Sequence, residues 1–175
     1  MMRKSVRIVF LLFMLLAALS PAAFAERPSI SSDQQNFDIF TMRYRLDGHV
    51  TVRYADRVIT ADHAQVSVAT MEVWAQGNIA LEDASGIQFT GDDLYVEGPA
   101  SRATVNGHAD FRREGLRVTS DTATFNWSTK IAEFTGNVKR ILDGKEKHLR
   151  RFRYNVVTGE ILAEEEAPAG TEEKS

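Results

Sequence analysis

A short pattern recurs along this chain at nearly constant spacing, and it restricts the possible folds more than any other feature. Gly followed by His or Asn recurs at intervals of 29, 30 and 29 residues, at Gly48, Gly77, Gly107 and Gly136. An apolar residue followed by Thr, any residue and Asp recurs in step with it, at Asp62, Asp92 and Asp121. Self-similarity at a fixed period of this length predicts that one structural unit is repeated along the chain.

Each repeat has the residue pattern of β-strands. Apolar and polar side chains alternate on both sides of each Gly, as at Tyr44 and Leu46 before Gly48 and at Val50 and Val52 after it. A period of two residues is typical of half-buried strands. Gly supplies a positive φ and Asn or His tolerates one, so each dipeptide is interpreted as a tight hairpin turn. We expect an almost wholly β, antiparallel fold of about a dozen or more short strands.

The repeated Asp has two interpretations. An Asp beside small residues commonly caps a turn by accepting hydrogen bonds from nearby backbone N–H groups. A row of Asp side chains is also compatible with calcium binding, but calcium needs several oxygen atoms that converge on one ion. One Asp per repeat is too few for that, so we interpret these residues as turn caps.

The first 25 residues have the pattern of a secretory signal peptide. Positive charge at residues 3–7 precedes an unbroken apolar run of 12 residues, Ile8–Leu19, and Ala23-Phe24-Ala25 offers a cleavage site before Glu26. The alternative is an uncleaved membrane anchor, although this run is short for a hydrocarbon core about 30 Å thick. Cleavage predicts that the mature protein is exported.

The rest of the chain divides into one domain, residues 26–162, and an acidic tail, residues 163–175, whose composition predicts disorder. The signal contains three of the 21 basic residues and none of the 24 acidic ones, so the mature net charge is −6. Nucleic-acid-binding domains are usually basic, so we expect no nucleic-acid partner. The chain contains no Cys, which excludes thiol catalysis and cysteine–zinc sites.

The repeats resemble the OstA-like family, which includes the periplasmic lipopolysaccharide export proteins called LptA. The resemblance rests on Ser32-Asp33-Gln34-Gln35, Gly48-His49-Val50 and Ile59-Thr60-Ala61-Asp62-His63-Ala64, and on the order and spacing of these short motifs. It covers roughly residues 29–162. The family is similar in fold to the inner-membrane LptC and to the N-terminal domain of the outer-membrane LptD; an uncleaved anchor would favour an LptC-like member.

The resemblance implies an open, antiparallel β-jelly roll whose inward side chains form an apolar groove for the acyl chains of lipopolysaccharide. The predicted groove residues share one strand phase and are Tyr44, Leu46, Val52, Tyr54, Val66, Val73, Leu81, Phe89, Val96, Val105, Phe111, Val118, Phe125 and Phe134. A buried CH₂ group gains about 0.8 kcal/mol on leaving water, so a few acyl chains would supply most of the affinity. The alternative for each residue is a closed core, and the sequence does not decide between the two.

The resemblance also implies partners at both ends of the roll. Terminal strands near residues 30–40 and 152–162 would be sheet edges, which pair with other chains. The implied partners are further copies joined head to tail, an LptC-like inner-membrane component and an LptD-like outer-membrane component.

A basic cluster follows the last repeat, and it has three interpretations. Arg binds phosphate well, so the cluster is a candidate for contact with the phosphates of lipid A. It would otherwise serve as a charged edge that prevents unwanted strand pairing, or be neutralised by the acidic tail. Its residues are Lys139, Arg140, Lys145, Lys147, Arg150, Arg151 and Arg153.

Nothing in the sequence indicates an enzyme or a cofactor. His49 and His108 occupy turn positions where the other repeats have Asn, which favours a role in backbone geometry, and no metalloprotease, serine-hydrolase or phosphate-loop motif occurs. Two functions therefore remain: a lipopolysaccharide-binding bridge between the two membranes, and a structural, self-assembling β-repeat module that binds no lipid.

Overall fold

The structure is a computed structural model, which describes residues 29–54, 57–84 and 86–167. Eleven strands form one antiparallel sheet in which β3 to β11 pair in chain order, while β1 and β2 both pair with β3. The strands are β1 (Ser29–Ser31), β2 (Gln34–Asp38), β3 (Arg43–Tyr54), β4 (Arg57–Ser67), β5 (Glu72–Asp83), β6 (Gln88–Glu97), β7 (Arg102–Arg113), β8 (Leu116–Asn126), β9 (Ile131–Leu142), β10 (Lys145–Asn155) and β11 (Ile161–Glu166). Within these ranges no helix has the length and apolar character needed to cross a membrane.

A β-bulge divides each odd-numbered strand from β3 to β9 near its middle. In β3, Gly48 and His49 stand opposite the single residue Asp62 of β4. Their φ angles are +76° and +46°, a left-handed conformation that Gly adopts freely and that few other residues tolerate. The same two-against-one arrangement recurs at Gly77-Asn78, Gly107-His108 and Gly136-Asn137. Such bulges bend a strand, and here they form a row across the sheet.

The sheet folds over along this row into two parts that face each other. Half-sheet A comprises residues 34–47, 63–76, 93–106, 122–135 and 151–166, and half-sheet B comprises residues 29–31, 50–54, 57–61, 79–84, 86–91, 109–120 and 138–149. The Phe111 ring of half-sheet B lies 5.8 Å from Phe134 and 5.9 Å from Tyr154 of half-sheet A, centroid to centroid. The inward faces therefore pack against each other as in a β-sandwich.

The prediction that the Gly-His and Gly-Asn dipeptides form hairpin turns is wrong. A two-residue hairpin turn and a bulge of this kind both need positive φ at successive residues. The local sequence therefore does not distinguish a turn from a bulge. The hairpin turns lie between the bulges, as at Asp143 and Gly144, whose φ angles are +48° and +78°. The expected short strand length is wrong for the same reason: a bulge bends a strand without ending it, and β3 to β10 each contain 10 to 12 residues.

The repeated Asp side chains do not cap local turns, contrary to the prediction. The Asp62 carboxylate accepts a hydrogen bond from the Asn78 side-chain amide at 2.8 Å. Asp121 and Asn137 form the same contact at 2.8 Å, and Asp92 meets the His108 ring at 2.7 Å. Each Asp thus contacts the bulge of a neighbouring strand, sixteen residues further along the chain.

The terminal edges differ partly from the prediction. At the N-terminal edge, β2 lies beside half-sheet A and β1 beside half-sheet B, as expected for residues 30–40. At the other end β10 pairs on both sides, and the edge of half-sheet A is β11. Since β11 runs to Glu166, residues 163–166 belong to the sheet rather than to the predicted tail. The predicted signal peptide and residues 168–175 lie outside the described residues.

Candidate functional site

An apolar cavity of about 140 Å³ lies between the two half-sheets and opens at one side. Half-sheet B contributes Ile59, Ile79, Leu81, Ile87, Phe89 and Phe111; half-sheet A contributes Leu94, Ala103, Val105, Ala123, Thr124, Phe125, Ala132 and Phe134, and Val156 lies at its end. Its two charged residues are Arg57 and Asp83. An apolar cavity of this size stays dry and accommodates a benzene-sized group, so the site can take a short stretch of hydrocarbon.

The structure divides the predicted groove residues into two groups. Leu81, Phe89, Val105, Phe111, Phe125 and Phe134 line the cavity. Six others are buried in the core around it: Leu46, Val52, Val66, Val73, Val96 and Val118. Tyr44 packs at the core margin with its ring centroid 4.2 Å from that of Phe37, and the Tyr54 side chain lies outside the described residues. Strand phase therefore identified inward residues but did not separate the cavity from closed core.

Two arginines beside the cavity were not among the predicted site residues. Arg57 Nε lies 3.9 Å from the Asp83 carboxylate, and these side chains are only 6% and 5% exposed. Arg113 Nη1 donates to the Val156 carbonyl at 2.7 Å and to the Tyr154 hydroxyl at 3.3 Å. Both arginines follow the inward strand phase, which would have identified them had charged residues been included.

Comparison with known proteins identifies the family. Residues 29–146 match the model of the LptA/(LptD N-terminal domain) LPS transport protein family. The chain belongs to this family. Among solved structures it is similar to LptH, "the LptA homologous periplasmic component of the conserved lipopolysaccharide transport device from Pseudomonas aeruginosa", with a TM-score of 0.56 and 12% identity over 66% of this chain and 87% of that chain. No curated protein matches at the threshold applied.

Membership of the LptA/LptD N-terminal family confirms the predicted fold class, an all-β open antiparallel jelly roll. It also places the chain among lipopolysaccharide transport proteins, which are not enzymes. Among the described residues no group of three or more His, Asp and Glu side chains converges as a metal site would require.

Acidic residues neutralise most of the basic cluster that we considered for phosphate binding. Glu164 of β11 accepts hydrogen bonds from Arg140 Nε at 2.9 Å and from Lys147 at 3.0 Å. Four further pairs join Arg150 to Glu165 (2.7 Å), Arg151 and Arg153 to Glu133 (2.7 and 3.4 Å) and Lys139 to Glu146 (2.8 Å). Of the seven residues of the cluster, all of which the structure describes, only Lys145 has no such ion pair. The arrangement favours neutralisation over an open phosphate site.

Burial and ion pairing act in opposite directions on Glu164. Burial raises its pKa, but hydrogen bonds from Lys147 and Arg140 outweigh burial and hold that pKa below its ordinary value. Because Arg140 lies in half-sheet B and Glu164 in half-sheet A, this ion pair also joins the two half-sheets at the C-terminal end of the roll.

Proposed function

We propose that this protein is a periplasmic bridge that binds lipopolysaccharide through its acyl chains and carries it from the inner to the outer membrane. The apolar cavity between the half-sheets is the observation that supports this function best. Its lining is almost entirely hydrocarbon, and burial of apolar chains gains about 25 cal/mol for each Å² removed from water. Family membership supports a role in lipopolysaccharide transport.

The cavity is smaller than a complete acyl chain. About 140 Å³ suits a group of roughly six carbons by comparison with benzene-binding cavities. A longer chain therefore requires the half-sheets to move apart, and one contact that joins them beside the cavity is that of Arg113 with the Val156 carbonyl. The closed core nearby, with Val118 and Phe152 each 0% exposed, is compatible with the alternative function as a structural module.

The edges of the sheet support assembly head to tail. β2 and β11 run in opposite directions within half-sheet A, so β2 of one copy would pair antiparallel with β11 of the next. Exposed apolar side chains lie at the matching ends of these strands: Ile39, Phe40 and Met42 beside β2, and Val157, Ile161 and Leu162 beside β11. In the same way the proposed LptC-like and LptD-like partners would pair with the two terminal edges.

Photo-crosslinking tests the lipid-binding function. Benzoylphenylalanine at Phe125, which lines the cavity, should crosslink to purified lipopolysaccharide. The control is Thr104, which lies between the inward residues Ala103 and Val105 and therefore on the outer face. Equal labelling from both positions, or none from Phe125 in the folded protein, would favour the structural module.

A further inference from the structure

Two positively charged side chains lie beside the apolar cavity. Arg57 begins β4 and lines the cavity, whereas Arg113 ends β7 and bonds the carbonyl of Val156, which also lines the cavity. Three strand spacings separate β4 from β7, which corresponds to about 14 Å along the sheet. An apolar site with a cation beside it has the chemistry of a site for an anionic amphiphile, with its chain inside the cavity and its headgroup at the cation.

The two arginines differ in how their charge is compensated. Arg57 lies beside the Asp83 carboxylate, whereas Arg113 donates to a carbonyl and a hydroxyl, both neutral. Among the described residues Arg113 takes part in no ion pair. Hydrogen bonds to an ionised acceptor are about twice as strong as those between neutral groups, so an anion would compete well for this guanidinium.

We propose that Arg113 binds the phosphate headgroup of the amphiphile whose chain occupies the cavity. This inference rests on the proposed lipid-binding function. The headgroup would then be bound beside the cavity rather than by the basic cluster at residues 139–153. That cluster is largely neutralised by Glu133, Glu146, Glu164 and Glu165.

Headgroup binding at this position is coupled to opening of the cavity. Arg113 lies in half-sheet B, and its two acceptors, Tyr154 and Val156, lie at the end of half-sheet A. If the guanidinium turns to a phosphate, it releases the Val156 carbonyl and with it one connection between the half-sheets. Phosphate capture and admission of a longer chain would then occur together.

Isothermal titration with two amphiphiles of equal chain length tests the proposal. Dodecyl phosphate carries an anionic headgroup and dodecyl maltoside a neutral one, and both are used below their micelle-forming concentrations. The intact protein should bind dodecyl phosphate more tightly. Arg113→Gln should weaken dodecyl phosphate binding about tenfold relative to dodecyl maltoside, the effect of losing one hydrogen bond to a charged group, and should not weaken dodecyl maltoside binding.

Three variants separate headgroup binding from a merely structural role of Arg113. Arg112→Gln changes the neighbouring arginine, which bonds Asp110, and should alter neither affinity. Tyr154→Phe removes one neutral acceptor and should bind dodecyl phosphate at least as tightly as the intact protein. Arg113→Lys retains the charge and should keep part of the preference for phosphate. A structural role predicts loss of stability in Arg113→Gln without a change in headgroup preference.

The outcomes distinguish this proposal from the proposed function. If neither amphiphile binds the intact protein, the lipid-binding function itself fails. If both amphiphiles bind, and the ratio of their affinities is the same in Arg113→Gln as in the intact protein, the cavity binds a chain but the headgroup site is overturned. If inorganic phosphate alone competes as well as dodecyl phosphate, the site beside the cavity is one for free phosphate, and the lipid assignment is overturned too.

Discussion

At the residue scale, each bulge depends on a Gly that no other residue replaces without cost. At Gly107 the φ angle is +77°, and a Cβ atom there would overlap with the Asp92 carboxylate. That carboxylate is held in place by His108, the second residue of the same bulge. Backbone conformation and side-chain contact therefore select glycine independently at this position.

Gly107→Ala should destabilise the protein by more than the roughly 1–2 kcal/mol that a left-handed backbone costs an L-residue. Gly144→Ala is the matched control, because its φ is +78° and a Cβ atom there meets nothing within 4 Å. The free energy of unfolding in urea measures both losses. Equal losses would show that the contact with Asp92 has no energetic effect.

His108 should titrate above the ordinary histidine range. A hydrogen bond and the negative charge of Asp92 raise its pKa above the ordinary histidine value. Since the folded-state pKa is raised, any stability from this pair is present below the unfolded pKa and is lost as pH rises through the folded pKa. NMR titration of the ring should show the raised pKa, and Asp92→Asn should return it towards the ordinary value. An unchanged titration in Asp92→Asn would contradict the assignment.

At the scale of single elements, β11 is attached by backbone pairing with β10 and by ion pairs rather than by apolar burial. It is an edge strand of 6 residues, and Ile161 and Leu162 remain 37% and 39% exposed. Its Glu164 meets Arg140, whose side chain is only 7% exposed. An edge strand with little apolar burial has low local stability when its most buried ion pair is removed.

Glu164→Gln should destabilise the protein by about 1–3 kcal/mol, because it leaves the buried guanidinium of Arg140 without its charged acceptor. The intact carboxylate contributes stability above its ordinary pKa, and this contribution is lost as pH falls through its lowered folded-state pKa. Thermal or urea unfolding measures the effect. Glu166→Gln, at an exposed position of the same strand, should have little effect; similar losses in the two variants would show that the Arg140 contact is not responsible.

Element boundaries show why the sequence predicted the strand content better than the strand arrangement. Alternation around Gly48 gives the β-conformation and the inward phase of Leu46 and Val50 correctly. It does not show whether a Gly-His pair reverses the chain or bends it, since both need positive φ. The contact between Asp62 and Asn78 could not be predicted from the sequence either, because the two residues approach each other only after their strands have paired.

At the scale of the whole molecule, the two ends of the sheet are complementary in direction and in apolar character. Stacked copies would bring Phe40 of one next to Leu162 of the other, since both residues lie at the same end of half-sheet A. Their exposed fractions, 92% and 39%, leave both accessible in a single copy.

Cysteines introduced at Phe40 and Leu162 should form intermolecular disulfides and a ladder of oligomers under mild oxidation. The chain has no Cys of its own, so any bond would come from the introduced pair. Phe40→Cys with Glu114→Cys is the control, because Glu114 lies in the hairpin between β7 and β8, away from both edges. Non-reducing electrophoresis reads the result. Ladders of equal strength in both variants would indicate random collision rather than edge pairing.

The cavity itself was only partly predictable from the sequence. Phe89, Phe111 and Phe125 were identified because they share a phase and an apolar character. Val66 and Val118 share both properties yet are completely buried. Whether an inward side chain lines a cavity or lies in closed core depends on the separation of the two facing half-sheets at that point. That separation depends on side-chain volumes on both faces and on distant connections such as the one between Arg113 and Val156.

One repeat contributes two neighbouring strands and one bulge, so the number of repeats sets the width of the sheet. Duplication of a single repeat, for example residues 87–115, would insert one hairpin, and with it about 10 Å of extra sheet width. The bend would remain in line, because the inserted bulge would continue the existing row. Tandem duplication thus offers a simple evolutionary route, and an engineering one, to family members of different reach but the same cross-section.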